Sequence, residues 1–107
     1  GGTDCPVVDG NLFWGMYVGN TRTYYDGMPE GGWNPQEDLP MEDMIDMFTS
    51  GAAYAEHREN ELGTLEAGRL ADITVSDRIL LKLAGDTAIR DTQVLLTMVD
   101  GRIVYEK

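Results

Sequence analysis

The clearest hydrophobic pattern runs over residues 40–56 and predicts a helix. Apolar side chains recur there at intervals of three and four residues, which places them on one stripe of a helical surface: Met41, Met44, Ile45, Phe48, Ala52 and Ala55. Pro40 suits the first helical position, and acidic residues follow where the helix dipole favours negative charge. Gly51 costs about 1 kcal/mol relative to alanine inside a helix, so we expect a kink or a close contact there.

The clearest β pattern closes the chain. Residues 94–99 and 102–105 are β-prone, and the Asp100-Gly101 pair between them is typical of a two-residue type I′ turn. The resulting register pairs Met98 with Ile103, Leu96 with Tyr105 and Thr97 with Val104. Both faces of this hairpin are mostly apolar, so we expect cover on both sides and further strands beside it.

The other segments carry weaker patterns. Residues 71–75 alternate and predict a strand, whereas residues 78–83 fit either a short helix or a strand. Residues 1–10 predict the end of a strand and then a turn, since Pro6 biases Cys5 toward an extended backbone. Residues 11–37 combine glycine, proline and asparagine with six aromatic side chains. This composition predicts a long functional loop, because its aromatic residues argue against a disordered tail.

The composition of the chain indicates which classes of binding partner and which cellular location to expect. With 107 residues, of which 42% are hydrophobic and 25% charged, the chain suits one small globular domain. Its formal net charge of -11 argues against nucleic acid and anionic membranes as partners. Cys5 is the single cysteine, which excludes an internal disulfide and fits a reducing, cytoplasmic location. The chain opens Gly1-Gly2 without methionine, so we expect its start to have been processed, cut or grafted.

Candidate chemistry in the chain is sparse. His57 is the only histidine, and a zinc site takes three or four ligands, so we expect a fragment rather than a complete enzyme. Nothing fixes a nucleophilic geometry between His57 and Cys5, and His57 also fits a polar residue just past a helix. Asp4 has two interpretations: a turn residue that caps its own backbone, which spacing alone favours, or a catalytic carboxylate at the end of a barrel strand.

Five segments resemble one enzyme family. Gly2-Thr3-Asp4-Cys5-Pro6-Val7 resembles the G-[ST]-D-x-P-V segment of family 3 amidohydrolases, a group that includes N-substituted formamide deformylase-like enzymes. Residues 62–73 are similar to the G-[ST]-L-x-x-G-[KR]-x-A-D segment found across amidohydrolases. Three more segments resemble the long active-site loop, the helix after it and the closing hairpin of the same enzymes: residues 26–35, 51–55 and 94–105.

The resemblance implies a fold and an activity. Such enzymes are metal-dependent hydrolases in which a (β/α)8 barrel lies beside a small β-sandwich made from both chain ends. The chain would then be an α+β fragment. Residues 1–57 would supply the last barrel strand, its active-site loop and the last helix, and residues 58–107 would supply the C-terminal strands of the sandwich. The implied reaction is hydrolysis of a C–N bond in a small-molecule amide.

The resemblance also implies roles for individual residues. A divalent metal, usually zinc, activates a water in such enzymes, and an Asp at the end of the last barrel strand takes the proton and later delivers it to the leaving amine. Asp4 matches that position, as one metal ligand of a site completed by upstream residues. Arg22 and Trp33 lie in the matching loop, where substrate contact and simple loop packing are both open. We expect the isolated chain to bind no metal and to be inactive.

A second hypothesis is a non-catalytic binding or assembly module that retains the amidohydrolase tail. The acidic helix or the hairpin edge would then recruit a partner chain. An exposed sheet edge also favours self-association. In either hypothesis we expect the loop at residues 26–38 to be mobile, because few neighbours remain to bury its aromatic side chains.

Overall fold

The structure is a computed structural model that describes residue 2 and residues 4–107. The described residues form an α+β unit in which three α-helices precede a three-stranded antiparallel sheet. The helices are α1 (Leu12–Thr21), α2 (Met41–Phe48) and α3 (Ser50–Ala55), and the strands are β1 (Ile73–Ser76), β2 (Val94–Val99) and β3 (Arg102–Glu106). Short 3-10 helices occupy Pro35–Glu37, Leu80–Lys82 and Thr87–Ile89. The α+β class expected from the sequence is confirmed.

Helix α1 lies where the sequence predicts a loop, so that prediction is wrong for its first half. Asn11 begins the helix by accepting a hydrogen bond from the main-chain N–H of Phe13 at 3.0 Å. Arg22 ends it in the left-handed conformation, with φ of 57°. The apolar residues Phe13, Met16 and Tyr17 are buried along one side. This burial stabilises a helix that its glycines would otherwise disfavour.

The glycines of α1 are packing contacts rather than loop markers. A Cβ added at Gly19 would lie 2.6 Å from the sulfur of Met44, and one added at Gly15 would lie 3.2 Å from the ring of Phe48. Both neighbours belong to α2. The two helices therefore approach each other closely because these positions carry no side chain.

The helix predicted over residues 40–56 is broken into α2 and α3. The break falls at Thr49, whose φ of -124° and ψ of -94° are not helical, two residues before the kink expected at Gly51. Pro40 is the residue before the helix rather than its first residue. Glu42 and Asp43 do occupy the first turn, as predicted.

The core joins the two halves of the chain. It contains six buried residues from α1, α2 and the 3-10 helix at Thr87–Ile89: Phe13, Met16, Tyr17, Met41, Met44 and Ile89. Ile89 is 0% exposed, although it lies beyond the boundary predicted between residues 57 and 58. Segments on both sides of that boundary therefore share one apolar cluster.

A buried amide adds a polar connection to this core. Asn20, at 8% exposure, donates from Nδ2 to the carbonyl of Leu39 at 2.7 Å. Its Oδ1 accepts from the main-chain N–H of Gly85 at 2.7 Å. One side chain of α1 thus fixes both the segment that leads into α2 and a segment of the C-terminal half.

The closing hairpin forms at the predicted residues, with a type I′ turn. Asp100 and Gly101 have φ of 49° and 74°, and positive values at both positions are what that turn requires. Only part of the predicted register is correct. Met98 pairs with Ile103 as expected, but an irregularity between Thr97 and Met98 shifts the remaining pairs, which become Thr97 with Tyr105 and Leu96 with Glu106.

The remaining strand predictions have mixed outcomes. β1 overlaps the strand predicted over residues 71–75 but begins at Ile73 and ends at Ser76. Residues 80–82 form a 3-10 helix, so the helical alternative for that segment is the correct one. At the start of the chain, residues 4–7 form a turn, in which the Val7 N–H bonds to the Asp4 carbonyl at 2.9 Å. The strand predicted before this turn includes residues 1 and 3, which lie outside the described residues.

We predict that Ile89→Ala destabilises the chain by about 2–5 kcal/mol, because it removes a fully buried side chain from the shared core. Ile79→Ala is a matched control, since Ile79 is 62% exposed, and it should change stability by less than about 0.5 kcal/mol. Urea unfolding followed by circular dichroism measures both. Equal effects of the two substitutions would show that the C-terminal segment does not share the helical core.

Candidate functional site

Asp4 lies in an exposed turn at the start of the described chain. Its φ is 53°, and its carbonyl closes the turn to Val7. Within residues 4–107 and residue 2, no group of three or more His, Cys, Asp or Glu side chains is placed to hold a metal ion. A single carboxylate supplies only one of the three or four ligands that zinc takes. The described residues therefore do not form a complete metal site by themselves.

Arg22 and Trp33, two residues selected from the sequence, are in direct contact. The guanidinium carbon of Arg22 lies 5.3 Å from the centroid of the Trp33 ring, within range of a cation–π interaction. Arg22 Nε donates to the Trp33 carbonyl at 3.2 Å, and the Trp33 N–H donates to the Arg22 carbonyl at 2.8 Å. The loop between these residues therefore closes back onto the end of α1.

Gly32 permits this closure. Its φ is 84°, and a Cβ at this position would lie 2.7 Å from the Thr21 carbonyl oxygen and 3.1 Å from the Arg22 Cβ. No side chain fits in that space without moving the main chain. The Gly31-Gly32-Trp33 sequence thus has a structural reason: glycine lets Trp33 reach Arg22.

The two residues line an open cleft of about 250 Å³, which we call the Arg22–Trp33 cleft. Its other lining residues are Val18, Thr23, Tyr24, Met28 and Pro29. Trp33, Tyr24 and Met28 are 64%, 65% and 57% exposed. Large apolar side chains exposed together beside one cation are typical of a binding site.

Hydroxyl groups attach the cleft to the core. Thr23 Oγ1 donates to the hydroxyl of Tyr17 at 2.8 Å and lies 2.8 Å from Thr21 Oγ1. Thr21 Oγ1 in turn bonds to the Tyr17 carbonyl at 2.8 Å. Tyr17 is 1% exposed, so the start of the loop is held by a buried side chain. Sequence reasoning missed this network, because isolated threonines in a loop give no signal of it.

Arg90 holds the loop from the opposite half of the chain. Its Nη1 donates to the Tyr25 carbonyl at 2.7 Å, across 65 residues of sequence. Its guanidinium carbon also lies 6.0 Å from the Trp14 ring centroid and 5.4 Å from that of Tyr17. Trp14 and Tyr25 meet edge to face at 4.4 Å. No motif surrounds Arg90, so its role cannot be recognised from the sequence.

The other candidate residues, His57 and Cys5, do not line the cleft. His57 is exposed just past α3 with φ of 58°, which agrees with its interpretation as a polar residue after a helix. Cys5 is an exposed free thiol. The exposed Arg58 lies near His57, and a hydrogen bond from its guanidinium to Glu61 raises the pKa of Arg58 above the usual value. That pair does not line the cleft.

Comparison with known proteins gives a consistent result. The profile described as "Amidohydrolase family" matches residues 1–105. The chain is 37% identical over 92 residues to "N-substituted formamide deformylase" of Arthrobacter pascens, covering 86% of this chain and 16% of that protein. It is 31% identical over 113 residues to "Putative amidohydrolase YtcJ" of Bacillus subtilis (strain 168), covering 100% of this chain and 20% of that protein.

Three further facts apply to the chain. The chain spans between about a sixth and a fifth of the length of these curated relatives. No solved structure matches it. Across the described part of the chain, every helix is too short or too polar to cross a bilayer.

We predict that Arg22→Ala exposes Trp33. In a Trp14→Phe background Trp33 is the only tryptophan, so acrylamide quenching of fluorescence reports on it alone. Loss of the stacked guanidinium should increase quenching and lower stability by about 0.5–1 kcal/mol. Arg102→Ala, on the exposed strand β3, is the control and should leave quenching unchanged. Unaltered quenching in Arg22→Ala would mean that Arg22 does not cover the ring in solution.

Proposed function

This chain belongs to the amidohydrolase family, and we propose that it is the C-terminal part of a metal-dependent enzyme that hydrolyses a C–N bond in a small non-peptide amide. The observation that carries the proposal is the family match over residues 1–105, which includes Asp4 and the whole Arg22–Trp33 cleft. Removal of the formyl group from an N-substituted formamide, the reaction named for one relative, also breaks a C–N bond.

The proposed architecture follows the order of the elements. Residues 1–57 would end a (β/α)8 barrel, with the active-site loop and the last helices, and residues 58–107 would add strands to a small β-sandwich. The observed order, helices up to residue 55 and strands from residue 73, supports this division. The core shared by α1, α2 and Ile89 supports close packing between the two parts.

Asp4 carries the chemistry in this proposal. The amidohydrolase family is generally metal-dependent, and a bound divalent ion, zinc in this proposal, would lower the pKa of a bound water. Asp4 would be one of its ligands, with the others supplied by the rest of the whole protein. The Asp4 carboxylate would accept a proton from the attacking water and return it to the nitrogen that leaves as an amine. The exposed position of Asp4 leaves its carboxylate accessible for this role.

Arg22 and Trp33 would contact the substrate. The exposed ring of Trp33 offers an apolar surface, and Arg22 offers hydrogen-bond donors beside it. Main-chain bonds hold the two together without occupying the outer face of the ring. Because the 107-residue chain supplies one metal ligand, we propose that it is inactive by itself. We also retain the expectations of a cytoplasmic location and no nucleic-acid or membrane partner, which rest on composition.

An alternative function is supported by the closing hairpin. All five residues of β3 are exposed, and β3 pairs only with β2 among the described strands. Ile103, Val104 and Tyr105 are 53%, 61% and 47% exposed. An exposed apolar edge can add a strand from another chain. We therefore keep a binding or assembly module, including self-association through this edge, as the second candidate.

The two candidates differ in the coding sequence upstream of Gly1. The enzyme proposal predicts an open frame of several hundred codons that encodes a His-x-His pair and further spaced histidines. DNA sequencing of that region measures this directly. A start codon within a few codons of Gly1 would contradict the enzyme proposal and favour the module.

In the protein encoded by that full frame, we predict that Asp4→Asn lowers kcat at least about 100-fold, because the amide cannot exchange the proton. Amine release from an N-substituted formamide measures activity, and metal analysis measures bound zinc. Asp9→Asn is the control: Asp9 Oδ1 accepts a hydrogen bond from Asn11 N–H at 2.8 Å, which an asparagine can also do. Near-normal kcat in Asp4→Asn would remove Asp4 from the mechanism.

A further inference from the structure

We propose that the Arg22–Trp33 cleft binds the anionic end of an aromatic small molecule, so that the substrate carries a carboxylate or similar anion beside an apolar ring. The inference rests on the proposed function only in calling this molecule the substrate. The binding itself depends on the cleft, whatever reaction the whole protein performs.

The first support is that Arg22 has no carboxylate partner among the described residues. The chain has 19 acidic and 8 basic residues, so a basic side chain has many carboxylates available as partners. Arg58, Arg69 and Arg78 each form an ion pair. Within the described part of the chain, Arg22 forms none, although it is half-buried. Arg90 and Arg102 also form no ion pair among the described residues, and the Arg22 guanidinium is likewise available to an external anion.

The second support is the way in which Arg22 is fixed. Its Nε bonds to the Trp33 carbonyl, and its guanidinium lies over the Trp33 ring. No hydrogen bond or ion pair among the described residues engages its two Nη atoms. An arginine held through Nε retains a pair of parallel N–H donors, and that geometry matches a carboxylate. The side chain is thus oriented in advance, which lowers the entropy cost of binding.

The third support is the apolar part of the cleft. Trp33 and Tyr24 expose about two thirds of their surface, and Met28 and Val18 line the same space. The volume of about 250 Å³ lies just below the usual range for drug-sized ligands. A ligand with a single aromatic ring and a short acidic substituent suits the volume of the cleft. It also suits the combination of aromatic rings with one cation there.

The test compares phenylacetate with phenylacetamide, which has nearly the same shape and no charge. Isothermal titration calorimetry on the full-frame protein should show about tenfold tighter binding of phenylacetate, since its carboxylate carries the opposite charge and can accept two parallel N–H bonds from the guanidinium, whereas the amide is neutral. Arg22→Gln should remove this preference. Trp33→Ala should weaken both ligands together. Arg102→Gln is the matched control, because Arg102 is exposed on β3, and it should preserve the preference.

Two results would overturn the proposal. If phenylacetate keeps its advantage in Arg22→Gln, the anion binds elsewhere, for example at a metal. If the wild-type protein shows no preference, another carboxylate of the same protein already occupies Arg22. Neither result concerns turnover, so loss of amidase activity with a retained preference would reject the proposed function and leave this inference standing.

Discussion

The buried amide of Asn20 sets the position of α1 relative to two other parts of the chain. Its two hydrogen bonds connect α1 to the Leu39 carbonyl on one side and to the Gly85 N–H on the other. The Leu39 N–H also bonds to the Gly19 carbonyl at 3.1 Å, so the loop between α1 and α2 is fixed at both ends. A loop with fixed ends can present a stable cleft. Loss of the amide would remove two part-buried hydrogen bonds, to the Leu39 carbonyl and from the Gly85 N–H, at about 0.5–1.5 kcal/mol each.

Local signals account for the elements that the sequence predicts correctly. The α2 stripe repeats with the helical period, and Asp100-Gly101 sets the conformation of its own turn, so both can be recognised within a short window. Helix α1 was missed for a physical reason. Gly15 and Gly19 are poor helix formers, and only contact with Met44 and Phe48 shows why they belong in a helix.

The candidate site likewise contains some residues that the sequence indicates and others that it does not. Asp4 and Trp33 lie in short segments that resemble a family, and Arg22 lies four residues before one of them. Arg90 was missed because its partner Tyr25 is 65 residues away and neither residue lies in a recognisable motif. The contact between Arg22 and Trp33 was likewise unpredictable, since it depends on a glycine with positive φ at position 32. The sequence shows which residue types are present. The side chains and main-chain groups that they contact are seen only in the folded structure.

The loop that forms the cleft is closed mainly by main-chain atoms. Tyr24 N–H bonds to the Met28 carbonyl, Gly32 N–H to the Pro29 carbonyl and Trp33 N–H to the Arg22 carbonyl. Among the described hydrogen bonds, none that closes the loop uses the side chain of Tyr24 or Met28, although the Tyr24 ring contacts that of Tyr25 at 4.7 Å. Selection, natural or in the laboratory, can alter them without unfolding the chain. In the proposed enzyme, ligand preference and stability would thus be separately adjustable, and a change of a few exposed side chains on an unchanged loop would alter the substrate.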